Sequence, residues 1–328
     1  MADLRTSYMG IELKNPIVVG ACSLSRQIDT IKELEAAGAG GLVLKSLFEE
    51  QVQLENAELE QSLSQYDDMY AEAVNLFPQV SHAGPKEHLY WVKEARKATE
   101  MPLIGSLNAV NEDVWVDYAK QLAETGVDGL ELNFYSLPLD PNMTGGDIEQ
   151  AELETFSKVR DAVKLPIAVK LHPFYTNVMN MVAEFDRRGA NAVVLFNRLF
   201  QPDLNINTGE ERKRLVLSDA RDGLNTLRWT ALLHGRVEAD LISGTGVLTG
   251  LDTVKMVMAG ATAVQVASTL YANRPAYIGT MLEQINGWMD EKGHTSLADF
   301  RGQASKQNVK DPWAYERGQY IKALLGFD

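Results

Sequence analysis

The chemistry this sequence can offer is concentrated in two lysines, three asparagines and one glycine run. Lys45, Asn108, Asn133, Lys170 and Asn197 each stand at or near the C-terminal end of a short apolar segment, and so do Ser23, Ser268 and Thr269. The run "ISGTGVLTG", Ile242 to Gly250, joins another such segment to a helical pattern, "LDTVKMVMAGA". Glycines let backbone N–H groups approach a phosphate closely, and a following helix adds the positive end of its dipole. A lone strand-end asparagine is ordinarily a turn residue, and a lone strand-end lysine ordinarily reaches for solvent. Neither habit predicts polar ends on so many segments. The pattern points to one shared polar site, with a phosphate held at Gly244, Thr245 and Gly246.

Eight apolar runs must position these groups, at 16–21, 41–47, 102–108, 129–135, 166–172, 192–198, 240–246 and 263–269. They are apolar rather than alternating, as strands covered on both faces should be. Helical patterns such as "DTIKELEAAGA", "EDVWVDYAKQLAETG" and "VMNMVAEFDRRGA" lie between them. In "AAGAGGL", "ETGVDGL" and "RRGANAV" a glycine follows the helix shortly before a strand, the left-handed stop expected there. Alternation of this kind, with right-handed crossovers, permits an open doubly wound sheet or a closed barrel. An open dinucleotide sheet carries its glycine fingerprint after the first strand, yet "PIVVGACSLS" lacks that spacing. Here the glycines come at the penultimate strand, where barrels often bind phosphate. The prediction is an α/β fold of the TIM (β/α)8 barrel type. Such a barrel takes about 250 residues. The surplus of the 328 sits at about 48–84, 136–148 and 199–222, each after the C-terminal end of a strand. No Pro/Gly/Ser-rich linker divides the chain, so 1–328 reads as one domain.

The totals exclude other classes. Against 31 basic residues stand 45 acidic ones, a net charge of −14, which disfavours nucleic acid as a partner. The single cysteine, Cys22, allows neither an intramolecular disulfide nor a cysteine metal cluster. His82, Glu87 and His88 do not have a zinc spacing, so no metal is expected. No signal peptide and no membrane-length apolar run is present, and the expected compartment is the cytoplasm.

In order along the chain, "GIELKNPIVVGA", "LVLKSL", "GLELNFYS", "PIAVKLHPF", "VVLFN", "SGTGVLTGLDTVKMVMAGATAVQVAST" and "SLADFRG" resemble the dihydroorotate dehydrogenases, which are flavin mononucleotide (FMN) barrels. The resemblance implies oxidation of dihydroorotate to orotate, a step of pyrimidine biosynthesis, by hydride transfer to FMN. It implies that Ala21 and Ser23 lie beside the flavin, and that Lys45 and Ser46 reach flavin and substrate. Asn108 and Asn133 would hold the ring system and substrate, and Lys170 would stand beside the flavin N1 and O2. Gly244, Thr245, Gly246, Ser268 and Thr269 would cradle the phosphate, with Gly223 kept from a glycine pair. Ser136 stands where the family places its catalytic base. A serine hydroxyl is a poor base and needs Lys45, an amide or a water relay to take up charge.

The sequence departs from the family's pattern on the substrate side. Ser136 is followed by Leu137 and Pro138 rather than by proline and asparagine, and the asparagine-rich substrate loop is replaced by "QVSHAGP" at 79–85. Of the substrate amides Asn133 and Asn197 remain, and Arg198 replaces a small hydroxyl residue. Arg198 either grips a substrate carboxylate or forms a loop salt bridge. Three alternatives to dihydroorotate oxidation stay open at this point. They are an FMN oxidoreductase of the same family acting on another small cyclic or carboxylated substrate, a non-redox Schiff-base lyase using Lys170, and a flavin-binding subunit without turnover. The resemblance further implies fumarate or an iron–sulfur partner subunit as electron acceptor, and a homodimer.

Overall fold

Three glycines turn the chain from helix to strand where the sequence places them. Gly38, Gly126 and Gly189 take φ of +98°, +90° and +89° directly after helices, a region glycine enters without steric cost. The computed structural model describes residues 2–48, 85–108, 112–135, 137–198, 202–211, 216–311 and 313–326. A hairpin of β1 (Thr6–Tyr8) and β2 (Ile11–Leu13) comes first. Then come β3 (Ile17–Val19), β4 (Gly41–Val43), the two-residue β5 (Leu47–Phe48), β6 (Leu103–Asn108) and β7 (Gly129–Asn133). The last four are β8 (Ile167–Leu171), β9 (Ala192–Leu195), β10 (Asp240–Ser243) and β11 (Ala263–Val266). Parallel pairing runs β3–β4–β6–β7–β8–β9–β10–β11 and returns from β11 to β3, which closes an eight-stranded barrel.

Helices cover the outside: α1 (Ile28–Ala36), α2 (Pro85–Ala98), α3 (Glu112–Ala123), α4 (Gly145–Ala162), α5 (Val178–Arg187), α6 (Asp222–Leu233) and α7 (Gly250–Ala259). The short α8 (Ser268–Asn273), then α9 (Tyr277–Lys292) and α10 (Arg317–Leu325), complete the chain. Local chemistry sets the starts of two of them. Thr144 with Asp147, and Thr249 with Asp252, form reciprocal capping boxes at α4 and α7, each satisfying backbone N–H groups that a helix start leaves free.

Because strand side chains alternate, the apolar runs serve two cores. Ile17, Val19, Leu42, Leu103, Leu130, Leu132, Ile167, Val169, Val193, Leu195 and Val264 pack outward with the helices. Val18, Val43, Ile104, Ala168, Ala192, Val194, Ile242 and Ala263 face inward and pack together. The hairpin belongs to this inner core through Tyr8, Met9 and Leu13, and it plugs the barrel at the strands' N-terminal end. Asp240, the first residue of β10, holds the plug by accepting the Met9 N–H at 2.9 Å.

The barrel and its eight strands agree with the sequence reading, which lacks the hairpin. Its turn is Met9–Gly10, with φ of +58° and +80°, the two-residue type that asparagine or aspartate more often opens. Seven of the eight strands end earlier than predicted. Asn197 and Arg198 lie past β9, and Ser268 and Thr269 open α8. Of the predicted excursions, 49–84, Ser136, 199–201 and 212–215 lie outside the described residues. Asp203 to Glu211 form a small loop closed by a Leu204–Glu211 bridge. Among the described residues, no helix is long and apolar enough to cross a membrane.

Candidate active site

Inward alternation continues to the strands' C-terminal ends, where the inner wall changes from apolar to polar. On β7 the inward residues are Glu131 and Asn133, on β8 Lys170 follows Ala168, and on β11 Gln265 follows Ala263. A cavity opens above them, at the C-terminal end of the strands. Its lining includes Ala21, Lys170, Asn197, Arg198, Ser218, the loop Gly244–Gly246, Gln265 and Ser268. Among the described residues two cations line it and no Asp or Glu does, although the chain as a whole carries −14.

The glycine loop is shaped by close backbone packing. Gly246 takes φ +74°, and a Cβ there would lie 2.2 Å from the Gly223 nitrogen. Gly223, at the start of α6, therefore supports the loop from behind. Thr245 donates its hydroxyl to the Phe196 carbonyl at 2.8 Å, and Ser268 Oγ accepts the Ser218 N–H at 3.0 Å. Thr269 donates to the Leu248 carbonyl at 2.8 Å, so its hydroxyl fixes the loop and not the cavity wall.

Lys170 stands under the cavity with its side chain 12 % exposed. Its Nζ donates to Gln265 Oε1 at 3.0 Å and lies 3.6 Å from Glu131 Oε1. The asparagines form a chain: Asn108 Nδ2 donates to the Asn133 carbonyl at 3.0 Å, and Asn197 Nδ2 donates to Asn133 Oδ1 at 2.9 Å. Of the three, Asn197 reaches the cavity lining. Ser46 shares a 2.6 Å hydrogen bond with Ser106. Ser23 is tied through its N–H and hydroxyl to the Tyr271 phenol at 2.8 and 2.6 Å.

Lys45 sits beside this group rather than in the cavity wall. Its N–H donates to Ser25 Oγ at 2.9 Å, and its carbonyl faces His88 Nε2 at 3.2 Å. A carbonyl only accepts, so Nε2 carries the proton and the Tyr118 phenol donates to Nδ1 at 2.6 Å. Burial pushes the His88 pKa below its usual value, in keeping with this neutral tautomer. Arg198 forms the loop salt bridge: Nε lies 3.2 Å from Asp222 Oδ2, and Nη1 donates to the Val216 carbonyl. His172 is structural in its contacts, stacked on Tyr175 at 4.0 Å with Nδ1 accepting the Phe174 N–H. Ser136 lies outside the described residues, as does most of "QVSHAGP". No group of three metal-ligating side chains occurs among the described residues.

A family model described as dihydroorotate dehydrogenase matches residues 3–289. The chain belongs to the dihydroorotate dehydrogenase family. Members of that family are flavin-dependent oxidoreductases acting on CH–CH bonds. Among similar proteins is the catalytic subunit of dihydroorotate dehydrogenase B (NAD(+)) of Thermoplasma acidophilum, 27% identical over 93% of this chain and 99% of that protein. The same subunit from Thermoplasma volcanium is 27% identical, over 94% and 100%. That from Methanothermobacter thermautotrophicus is 26% identical, over 92% and 98%.

The donor set suits a flavin mononucleotide. Lys170 supplies positive charge, Ser218, Ser268 and Asn197 supply neutral polar groups, and Gly246 lets backbone approach. Sequence reasoning missed Glu131, Gln265, Ser218 and His88. The signal for the first two was present, since a carboxylate and an amide interrupt runs that are otherwise apolar and covered on both faces. His88 had no such signal, because only the packing of α2 brings it to the Lys45 carbonyl.

Proposed function

We propose that the chain is a single-domain, FMN-dependent dehydrogenase that oxidises dihydroorotate to orotate. The observation that carries this reading is the cavity with Lys170 in its wall and no Asp or Glu among its described lining residues, at the C-terminal end of the barrel strands. Bound FMN supplies the hydride acceptor. The Lys170 ammonium stabilises negative charge that develops over the barrel mouth, a preorganised electrostatic role. Gly244, Thr245 and Gly246, with Ser268, hold the phosphate, and Gly223 keeps their loop in shape. Asn108, Asn133 and Asn197 act as one hydrogen-bonded row, so that Asn197 presents an amide whose orientation is already set. Ser136 takes the carbon-bound proton while a water relay takes up its own hydroxyl proton, in the position the family gives its base. Arg198 acts by bracing the loop of Val216 to Asp222, and through it Ser218.

The relatives' description as catalytic subunits of NAD(+) enzymes favours a partner subunit carrying an iron–sulfur centre over free fumarate as the electron acceptor. We place the enzyme in the cytoplasm as a homodimer. The test is anaerobic mixing of the FMN-loaded protein with dihydroorotate. Rapid loss of flavin colour is expected, and in Ser136→Ala the same loss should be slower by ~10²-fold or more, with FMN still bound. A flavin that stays oxidised under excess dihydroorotate would exclude this substrate. Unchanged kinetics in the variant would remove Ser136 from the base role.

A further inference from the structure

One buried group at the site has no role in binding or hydride transfer. Glu131 is fully buried at the centre of β7, on the inward face where every apolar neighbour would be more easily accommodated. A carboxylate there is expensive unless its charge and lone pairs are answered. Gln265 Nε2 donates to Glu131 Oε2, while Oε1 makes no hydrogen bond among the described residues and faces Lys170 Nζ at 3.6 Å.

Chemistry sets the direction of this chain. An ionised carboxylate only accepts, so the Gln265 amide must turn its NH2 to Glu131. Its Oε1 is then the end that meets Lys170, at 3.0 Å. Gln265 thus stands between the two charges, engaging one carboxylate oxygen and giving the ammonium a neutral acceptor. The ammonium lies nearer the amide than the carboxylate, 3.0 Å against an ion-pair distance of 3.6 Å, and of its three N–H donors one goes to Gln265. Gly20 makes room for this arrangement, since a Cβ there would lie 3.2 Å from Gln265 Oε1.

We propose that Glu131 and Gln265 are positioning residues that set how much of the Lys170 charge reaches the cavity, and so set the reduction potential of the flavin. This rests on the flavin reading given above. Glu131 lowers the potential by partly neutralising the ammonium. Gln265 raises it by holding the ammonium away from Glu131. The two substitutions must therefore act with opposite sign.

The experiment is potentiometry of the FMN-loaded full chain and its variants. Glu131→Gln should shift the equilibrium about tenfold toward reduced flavin, about 30 mV upward for a two-electron couple. Gln265→Met should shift it downward, because the ammonium falls back onto Glu131. Shifts of the same sign in Glu131→Gln and Gln265→Met overturn the proposal. If Glu131→Gln does not fold, an unchanged or raised potential in Gln265→Met overturns it alone. A wild-type chain that takes up no FMN would instead sink the flavin reading beneath it.

Discussion

The two ends of the barrel interior are built from the same strands and answer to different demands. At the N-terminal end Val18, Val43, Ala168, Ala192, Ile242 and Ala263 pack against Tyr8, Met9 and Leu13 of the hairpin. Two residues further along the same inward rows stand Gly20, Lys45, Lys170, Gly244 and Gln265. One step along an inward row separates stability from chemistry. The lower layer is closed by side chains that fit one another, whereas the upper layer presents donors that are only partly satisfied. Lys170, Gln265 and Glu131 mark the seam, since the cation belongs to the cavity and its counter-charge is sunk in the barrel.

The strongest way to probe that seam is Lys170→Ala. Flavin reduction should slow by ~10²–10³-fold, and stability should fall by about 3 kcal/mol because Glu131 is left buried and unpaired. Adding Glu131→Gln should recover most of the stability and none of the rate, as read by thermal unfolding and anaerobic stopped flow. Recovery of the rate as well would show that the two ends are not separable.

Ile242→Ala works on the lower layer. A cost of about 3 kcal/mol is expected from lost burial and the cavity left behind, read by denaturant unfolding. The flavin spectrum and the rate per folded molecule should not change. A change in either would mean that the lower packing shapes the cavity.

The smallest effect is on acid stability. Burial, as the leading cause, pushes His88, His172 and His234 below their ordinary value of 6.5. As pH falls, the unfolded chain takes up these protons first, so their contribution is complete above about 6.5 and is lost below it. The melting temperature should therefore decline between about pH 6.5 and pH 5. His88→Gln, at the upper end, should flatten part of that decline.

The barrel was legible because its signals are local. Helix-stopping glycines at 38, 126 and 189 and apolar runs of strand length say where each unit ends, and the position of "SGTG" says which closure is used. The polar strand ends were legible for the same reason. What the sequence could not carry was pairing across the barrel. Glu131, Lys170 and Gln265 lie on three strands, and only closure brings them together. The fates of Arg198 and Thr269 were likewise tertiary, since Asp222 and the Leu248 carbonyl engage them. The hairpin escaped because its three-residue strands and Met–Gly turn are too short to stand out from a loop.

The claim on which the rest depends is that the cavity above Lys170 recognises the phosphate of a flavin. Flavin fluorescence quenching on titrating the flavin-free chain with FMN and with riboflavin tests it most directly. Two charge-assisted hydrogen bonds to phosphate contribute about 3–5 kcal/mol, so FMN should bind at least ~10²-fold more tightly than riboflavin. Equal affinities, or no binding of either, would contradict the account.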